Sequence, residues 1–435
     1  DENQYLDLLA GGGVYFVGRN HPTIHQACID ALSMNLPNLC VTNASALGGV
    51  LAERLLKLAG PNFSKVIYAN SGAEATEVCI RFSRYVTKKR RFLYLEGGFH
   101  GRTFGAISLC GWPQLKEGMD PVLPTVTPIR ANDIAQLRRE LSRNDVAGVF
   151  MEPVQGMTCQ VLSADYMREA ELLCDKYGAI FVADEVQTGL GRTGDWFATS
   201  GMGVRPGMVT VSKTLSGGVA PVSAVLMRED IYERVFSSFK SGPIYFSTFA
   251  ENNVSMAAGL ATLDVLEKIR APKTAARLSK KFREGLSELA KRYDVIERIE
   301  GKGLMIAIYF KDSAQLGLNV QQKIMGMPDP GAFGAAVNVD MFTKQRIVVQ
   351  LPGPGLNAIK ILPPVTVSDD DIDYVLSAFE DTISSYYETK GSPIASISRG
   401  VVASAAKSVS KLVPASLMPP LFNKALEVPE VSQIA

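Results

Sequence analysis

The sequence contains few of the residues that most often bind metal ions. Its 435 residues include three histidines and six cysteines. No two cysteines form a C-x-x-C pair, and His21 and His25 are remote from any cluster of acids and cysteines. Because structural zinc sites use such closely spaced pairs, we expect no metal site. The scattered cysteines indicate reduced thiols in a cytoplasmic protein. They are Cys28, Cys40, Cys79, Cys110, Cys159 and Cys174.

A charge excess of either sign and long apolar runs are also absent. The 45 lysines and arginines nearly balance the 44 aspartates and glutamates, leaving a formal net charge of +1. This balance argues against a nucleic-acid partner or a generally membrane-seeking surface. No apolar run is long enough to cross a membrane, and no signal peptide opens the sequence. The start at Asp1, without methionine, leaves open that this is a fragment or one domain of a longer polypeptide.

One lysine stands out in residues 209–218 (VTVSKTLSGG). The pattern predicts a buried strand that delivers Lys213 to a turn at Gly217 and Gly218. Burial disfavours the ammonium and lowers the pKa, so a lysine at a buried strand end is costly unless it is used. Such a lysine is a Schiff-base nucleophile toward carbonyl groups. Taken alone, the Ser-Lys dipeptide is more typical of a surface lysine with a buried stem than of a catalytic lysine.

A second strand strengthens the catalytic interpretation. Residues 179–194 (AIFVADEVQTGLGRTG) predict an apolar strand that ends in Asp184. An acid at one strand end and a lysine at another can face a single aromatic cofactor. The carboxylate would then hold the proton of a pyridinium ring, and the lysine would form an imine. Pyridoxal 5'-phosphate needs this pairing.

The motifs together resemble the class III pyridoxal-phosphate aminotransferases, which include the ornithine, acetylornithine, 4-aminobutyrate and putrescine enzymes. The resemblance covers residues 5–386. It is carried by NSGAEATEVCIR, GGFHGRTFGA, MEPVQG, FVADEVQTGLGRTG and VSKTLSGG, in the order in which that family has them. It implies an α/β protein of fold type I, with a large, mostly parallel sheet covered by helices on both faces and a smaller α+β domain. The alternation of predicted strands and helices independently favours such a sheet.

The resemblance also implies roles for individual residues. Lys213 and Asp184 match the catalytic pair. Phe99 matches a ring stacked on the pyridine, Val186 the apolar residue on its opposite face, and Gln187 a donor to the ring hydroxyl. Thr248 matches a threonine that reaches the cofactor phosphate of the other subunit, which implies a homodimer with shared active sites. The remaining cofactor-binding matches are Ser71, Gly72, Ala73, His100 and Glu152.

Simpler explanations exist for several of these residues. Ser71 to Glu74 is also typical of an ordinary capped helix start, although a strand, a small-residue turn and a helix N-terminus form an anion site. Phe99 alone is typical of a core phenylalanine, and Thr248 alone of a helix N-cap. Arg102 matches an arginine that binds a substrate carboxylate in ornithine-type enzymes, or forms a surface ion pair.

Two positions depart from the family. Met157 stands where the amino-acid-specific members have a glutamate, and Lys360 stands where they have an arginine for the α-carboxylate. An ammonium cannot copy the two parallel hydrogen bonds of a guanidinium to a carboxylate. We therefore expect these positions to line a less carboxylate-like, more apolar substrate end, suited to an aldehyde or ketone acceptor or to an amine without an α-carboxylate, in secondary metabolism.

The chain divides by composition and pattern into four predicted parts. Residues 1–35 form the N-terminal part of the small lobe, 36–270 the large cofactor-binding domain, and 271–389 the C-terminal small domain. Residues 390–435 are a basic tail rich in serine and alanine, because 390–426 contain no acid and five basic residues. Such a tail docks on a membrane or a partner, packs on its own protein, or stays loose.

The predicted activity is amino-group transfer between an amine or amino-acid donor and an aldehyde or keto acceptor by a ping-pong mechanism. An aminomutase or racemase on the same scaffold is the alternative, and it would need no second substrate. A scaffold domain without catalytic activity is a more remote alternative, because Lys213 and Asp184 are both present.

Overall fold

The computed structural model describes residues 4–38, 45–238, 244–326 and 329–388. The tail predicted at 390–435 lies outside the described residues. The strands are β1 Leu6–Asp7, β2 Lys65–Ala69, β3 Arg91–Leu95, β4 Val126–Ile129, β5 Val146–Met151, β6 Ile180–Asp184, β7 Met208–Val211, β8 Ser223–Met227, β9 Ile296–Lys302, β10 Met305–Phe310, β11 Ile347–Val348 and β12 Ala358–Ile361.

Helices separate most of these strands. They are α1 Ala10–Gly13, α2 Pro22–Ser33, α3 Ala46–Ala59, α4 Gly72–Thr87, α5 Phe104–Ser108, α6 Ile134–Leu141, α7 Ala164–Lys176, α8 Ala198–Gly201, α9 Glu229–Val235, α10 Asn253–Lys268, α11 Ala271–Arg292, α12 Leu316–Gly326, α13 Ala332–Thr343 and α14 Asp369–Tyr387. No helix in the described ranges combines the length and apolar character needed to cross a bilayer.

The largest sheet has seven strands in the order β2-β8-β7-β6-β5-β3-β4. Strands β3 to β7 are mutually parallel, and only β8 runs antiparallel to its neighbours. This arrangement confirms the mostly parallel α/β sheet that the sequence predicts. Every residue of β5, β6 and β7 is buried, because a parallel strand covered on both faces is apolar throughout.

Helices cover both faces of this sheet. In β3, Phe92 and Tyr94 pack in one apolar cluster with α4, whereas Leu93 and Leu95 pack in another with α6 and α7. Successive side chains of a strand point to opposite faces, so β3 alone shows that the sheet lies between two helical layers.

A second group of elements forms the smaller part of the molecule. Strands β9, β10 and β12 form an antiparallel sheet in the order β12-β10-β9, and α11, α13 and α14 pack near it. The N-terminal strand β1 pairs in parallel with β11, so the first residues join elements from the far end of the sequence.

Several helix boundaries follow directly from capping residues. Ser45 and Ser368 accept hydrogen bonds from the backbone at the starts of α3 and α14, and Asp371 completes a capping box at α14. The serine before each helix therefore determines the helix starts at residues 46 and 369. By contrast, residues 346–351 form only the two-residue strand β11.

Candidate active site

Two of the predicted residues lie at neighbouring strand ends. Asp184 is the last residue of β6, and Lys213 comes two residues after β7 ends. Strands β6 and β7 are parallel neighbours, with Asp184 opposite Thr210. Ligands of open α/β sheets bind beyond the carboxyl ends of the strands, so both side chains occupy the expected edge.

Asp184 is buried, and its two oxygens have different partners. Oδ1 accepts hydrogen bonds from the Val186 backbone N–H and the Thr210 hydroxyl, each at 3.0 Å. Oδ2 lies 2.7 Å from Nδ1 of His100, which comes from the loop after β3. Burial acts to lower the pKa of His100, but the hydrogen bond and charge of Asp184 outweigh it and the pKa is raised. The imidazole thus fixes the orientation of the carboxylate.

Glu152 joins two loops behind this pair. Its Oε2 accepts a hydrogen bond from the Phe99 N–H at 2.9 Å, and its Oε1 accepts one from the Gly156 N–H at 2.8 Å. Burial raises the pKa of Glu152 to about 7. The Glu152 carboxyl therefore connects two loops, one that carries Phe99 and one that carries Met157.

Lys213 is held in an unusual backbone conformation, with φ at 43° at the start of a short 3₁₀ turn. Its side chain is partly buried and makes no hydrogen bond to the described residues. Burial and the nearby ammonium of Lys360 lower the pKa of Lys213 to about 8, although Glu152 and Asp184 oppose this. The amine is thus easier to deprotonate than an ordinary lysine.

The predicted phosphate loop lies beside the end of β6. Ser71 caps α4 by accepting a hydrogen bond from the Glu74 N–H at 3.2 Å. The amides of Gly72 and Ala73 precede the first hydrogen bond within the helix, so they are free to bind an anion. A Cβ atom on Gly72 would lie 3.0 Å from Val186, so this close approach favours glycine.

Gln187 is bound to the N-terminal segment. Its Nε2 donates a hydrogen bond to the Gly12 carbonyl at 2.8 Å, while its buried Oε1 has no partner among the described residues. The same holds for Nε2 of His100. Buried polar atoms are rarely left unpaired, so these two atoms indicate where a polar ligand would complete the site.

The predicted substrate residues fall into two environments. Phe99 and Met157 pack against the apolar cluster that contains Trp112, whereas Arg102 is exposed. Lys360 is 1% exposed, and its ammonium donates a hydrogen bond to the Gly156 carbonyl. Its pKa is lowered by burial. Lys360 is therefore bound to the backbone of the loop that carries Met157.

Thr248 does not join the other predicted cofactor residues within this chain. It is exposed in the loop before α10, in a cleft of about 230 Å³ that also contains Tyr68, Tyr245 and Glu251. None of the other predicted cofactor residues lines this cleft.

Arg192 is a site neighbour that the sequence analysis did not single out. It is fully buried and donates to the carbonyls of Pro363 at 2.8 Å, Gly13 at 3.2 Å and Leu304 at 3.3 Å. It forms no ion pair with a described carboxylate, and burial lowers its pKa to about 9. Its place in the GLGRTG motif was the only signal in the sequence.

Arg192 and the turn after Lys213 bind the same N-terminal carbonyl. The Thr214 hydroxyl also donates to the Gly13 carbonyl, at 3.3 Å. Three side chains from the region of β6 and β7 (Gln187, Arg192 and Thr214) therefore hold the glycine turn at residues 11–13 against the site.

Comparison with known proteins agrees with this geometry. The aminotransferase class-III family matches residues 1–383. An acetylornithine aminotransferase of Bacillus anthracis is 34% identical over 85% of this chain and 88% of its own length. The aminotransferase PigE of a Serratia species is 30% identical over 89% of this chain but only 50% of its own length. A PLP-bound amine transaminase from an uncultivated Pseudomonas species superposes with a TM-score of 0.76 at 25% identity, covering 87% of this chain and 90% of its own.

The chain belongs to the class III aminotransferase family. The family depends on pyridoxal 5'-phosphate, and the site fits this cofactor. Four features lie near one strand edge. They are the Asp184 carboxylate, the Lys213 amine, the capped start of α4, and two buried polar atoms without partners among the described residues. The protein is thus a fold type I, PLP-dependent aminotransferase, as the sequence motifs predict. Within the described part of the chain, no group of three or more His, Cys, Asp or Glu residues is arranged for a metal ion.

Proposed function

We propose that this enzyme moves an amino group from an amine or amino-acid donor to an aldehyde or keto acceptor in two half-reactions, with Lys213 and Asp184 as its catalytic pair. The observation that carries this assignment is their placement at adjacent ends of β6 and β7. When bound, the cofactor supplies an electron sink for the bond cleaved at the substrate carbon.

The chain's own residues divide the remaining work. Lys213 would bind the cofactor's carbonyl carbon and, once displaced by the donor amine, move a proton to and from the substrate carbon. Its lowered pKa supports this, because a neutral amine is needed to accept that proton. Asp184 would hold a proton on the ring nitrogen, and its contacts with His100 and Thr210 keep it aimed.

Further residues would bind and orient the cofactor. The Ser71 to Ala73 segment would hold the phosphate at the start of α4, where the free amides and the helix dipole favour an anion. Phe99 and Val186 would lie on the two faces of the ring. Gln187 and His100 carry the unpaired buried atoms that the ring could satisfy. Glu152 binds the backbone beside His100 to the loop at Gly156.

An aminomutase or racemase would use the same residues without an amino acceptor. Dependence of complete turnover on a second, carbonyl substrate therefore separates the two reactions. A scaffold without activity would be revealed by the absence of bound cofactor.

The first prediction concerns Lys213. We expect Lys213→Ala to fold, to lower the rate of the donor half-reaction by about 10³-fold or more, and to leave no cofactor trapped by borohydride. Stopped-flow absorbance of the cofactor measures the half-reaction. Lys57→Met is the control, because it removes an exposed amine on α3 that has no part in the proposed reaction. A Lys213→Ala enzyme with wild-type half-reaction rates would refute the assignment.

The substrate end is proposed to be apolar and not built for an α-carboxylate. Met157 packs with Phe99 near Trp112, and Lys360 is turned to the Gly156 carbonyl. Neither residue offers the paired hydrogen bonds of an arginine. The donor or acceptor is thus an apolar amine or aldehyde of the kind found in secondary metabolism, and the likeness to an amine transaminase supports this class.

The second prediction concerns a variant that restores the glutamate and arginine of the amino-acid-specific members at positions 157 and 360. We expect the double variant Met157→Glu, Lys360→Arg to gain at least about tenfold in kcat/KM for glutamate, because a guanidinium binds the α-carboxylate in two hydrogen bonds. The wild type should prefer a long-chain amine to glutamate in the same half-reaction assay. Each single variant is a control. A wild-type enzyme that turns over only glutamate and 2-oxoglutarate would contradict the apolar assignment.

The working unit is proposed to be a homodimer in which each subunit completes the other's site. Phe246 and Phe249 flank Thr248 and are more than half exposed, and Ile29, Leu32 and Met34 are exposed at the end of α2. Exposed large apolar side chains support the proposal of a protein interface. Such a dimer would place Thr248 at the cofactor phosphate of the neighbouring subunit, where its hydroxyl can donate a hydrogen bond.

The third prediction tests this sharing. Subunits carrying Lys213→Ala and subunits carrying Thr248→Glu should each be inactive alone, because one lacks the amine and the other places a negative charge against the phosphate. Mixing and refolding them should restore up to about a quarter of the wild-type activity, since half of the dimers then contain one intact site. No recovery in dimers shown by mass to be mixed would contradict shared sites.

A cytoplasmic location is the remaining proposal. All five described cysteines are buried free thiols, as is usual in a reducing compartment. Cell fractionation tests it, and recovery of the enzyme from an oxidising compartment would contradict it.

A further inference from the structure

A basic cleft lies at the end of α4 far from the active site. It has a volume of about 740 Å³. Helix α4 begins at the predicted phosphate loop and runs for 16 residues, about 24 Å at 1.5 Å per residue. The cleft is therefore distinct from the site of the aminotransferase reaction. Its lining residues are Arg81, Arg84, Tyr85, Lys88, Lys89, Arg90, Pro124, Thr125 and Ile244.

The five cations of this cleft have no carboxylate partner among the described residues. None of them forms an ion pair with a described acid, and no lining residue is acidic. Three of them donate only to neutral oxygens. Arg81 bonds the Ile244 carbonyl, Arg84 bonds the Arg90 carbonyl and the Thr125 hydroxyl, and Lys89 bonds the Tyr177 carbonyl and the Asn144 amide.

Arg91, the next residue along the chain, shows that an arginine beside this cleft can pair with carboxylates. Arg91 pairs with Asp145 at 2.7 Å and with Glu140 at 2.9 Å. Burial and then the charge of Arg90 lower the pKa of Arg84, as expected where positive charge is not compensated. The concentration of positive charge is thus a property of the cleft.

Stabilisation of the helix explains only part of this charge. Cations in the last turn interact favourably with the negative end of the helix dipole, and Arg84 and Lys88 are placed to do so. Lys89 and Arg90 lie beyond the helix in the connection to β3. Adding like charges there costs free energy unless an anion compensates them.

We propose that this cleft binds a ligand with a chain of two or more phosphates. Arginines bind phosphate through paired hydrogen bonds, and lysines add point charge. The cleft volume falls within the range of small-molecule sites. Tyr85, Pro124 and Ile244 add an apolar wall beside the cations, so a nucleoside polyphosphate and a free polyphosphate are the two sources of this chemistry.

Calorimetric titration of the PLP-loaded enzyme with tripolyphosphate, ATP and adenosine tests the proposal. We expect tripolyphosphate and ATP to bind, with affinity that falls as salt is raised, and adenosine not to bind. Tighter binding of ATP than of tripolyphosphate would identify a nucleotide, and equal binding would identify the phosphate chain alone. Failure of tripolyphosphate to bind at about 1 mM would overturn the proposal.

Double charge-reversal variants distinguish binding in the cleft from nonspecific attraction to positive charge elsewhere on the surface. Lys88→Glu combined with Arg90→Glu should weaken tripolyphosphate binding at least tenfold, while transaminase activity and melting temperature stay at wild-type values. The matched control is Lys57→Glu combined with Lys273→Glu, two exposed lysines outside the cleft. Equal losses in both double variants, or full binding by the first, would overturn the assignment. Because all variants retain transaminase activity, failure here is distinguishable from failure of the proposed reaction.

Discussion

The structure depends on placing the partly buried amine of Lys213 where no described residue forms a hydrogen bond with it. Burial and the nearby cations Lys360 and Arg192 favour the neutral amine, while Asp184 and Glu152 favour the ammonium. The resulting pKa of Lys213 is about 8, so the neutral and the protonated amine are both populated near neutral pH. The parallel order of β6 and β7 makes this possible, because it brings the two strand ends to one edge.

The rest of the site holds this arrangement in place. Glu152 binds two loops through backbone amides, and His100 orients Asp184. On the opposite side, Arg192 reaches carbonyls at Gly13, Leu304 and Pro363, which belong to the N-terminal segment and the smaller part of the molecule. A fully buried guanidinium that binds only carbonyls retains a large desolvation cost, so the packing of three segments around it compensates that cost.

Much of this organisation could be predicted because it is local. Ser45 and Ser368 cap their helices, and the fully apolar β5 identifies a strand covered on both faces. Strand β9 could not be predicted in the same way, because its sequence, IERIEGK, forms an edge strand with half-exposed polar residues. The bond from Gln187 to Gly12 joins residues 175 apart, and that from Asp184 to His100 joins residues 84 apart. Their motifs were visible in the sequence, but spacing within a motif gives no information about such pairings.

The most direct measurement is the protonation equilibrium of Lys213 in the cofactor-free enzyme. Reductive methylation over a range of pH, followed by peptide mass spectrometry, reports the fraction of neutral amine, with the exposed Lys57 as an internal reference. A midpoint near pH 8 is predicted, because burial and neighbouring cations outweigh the acids. A midpoint at the ordinary lysine value of 10.5 would contradict the account, because the amine would then be solvated or fully paired with a carboxylate.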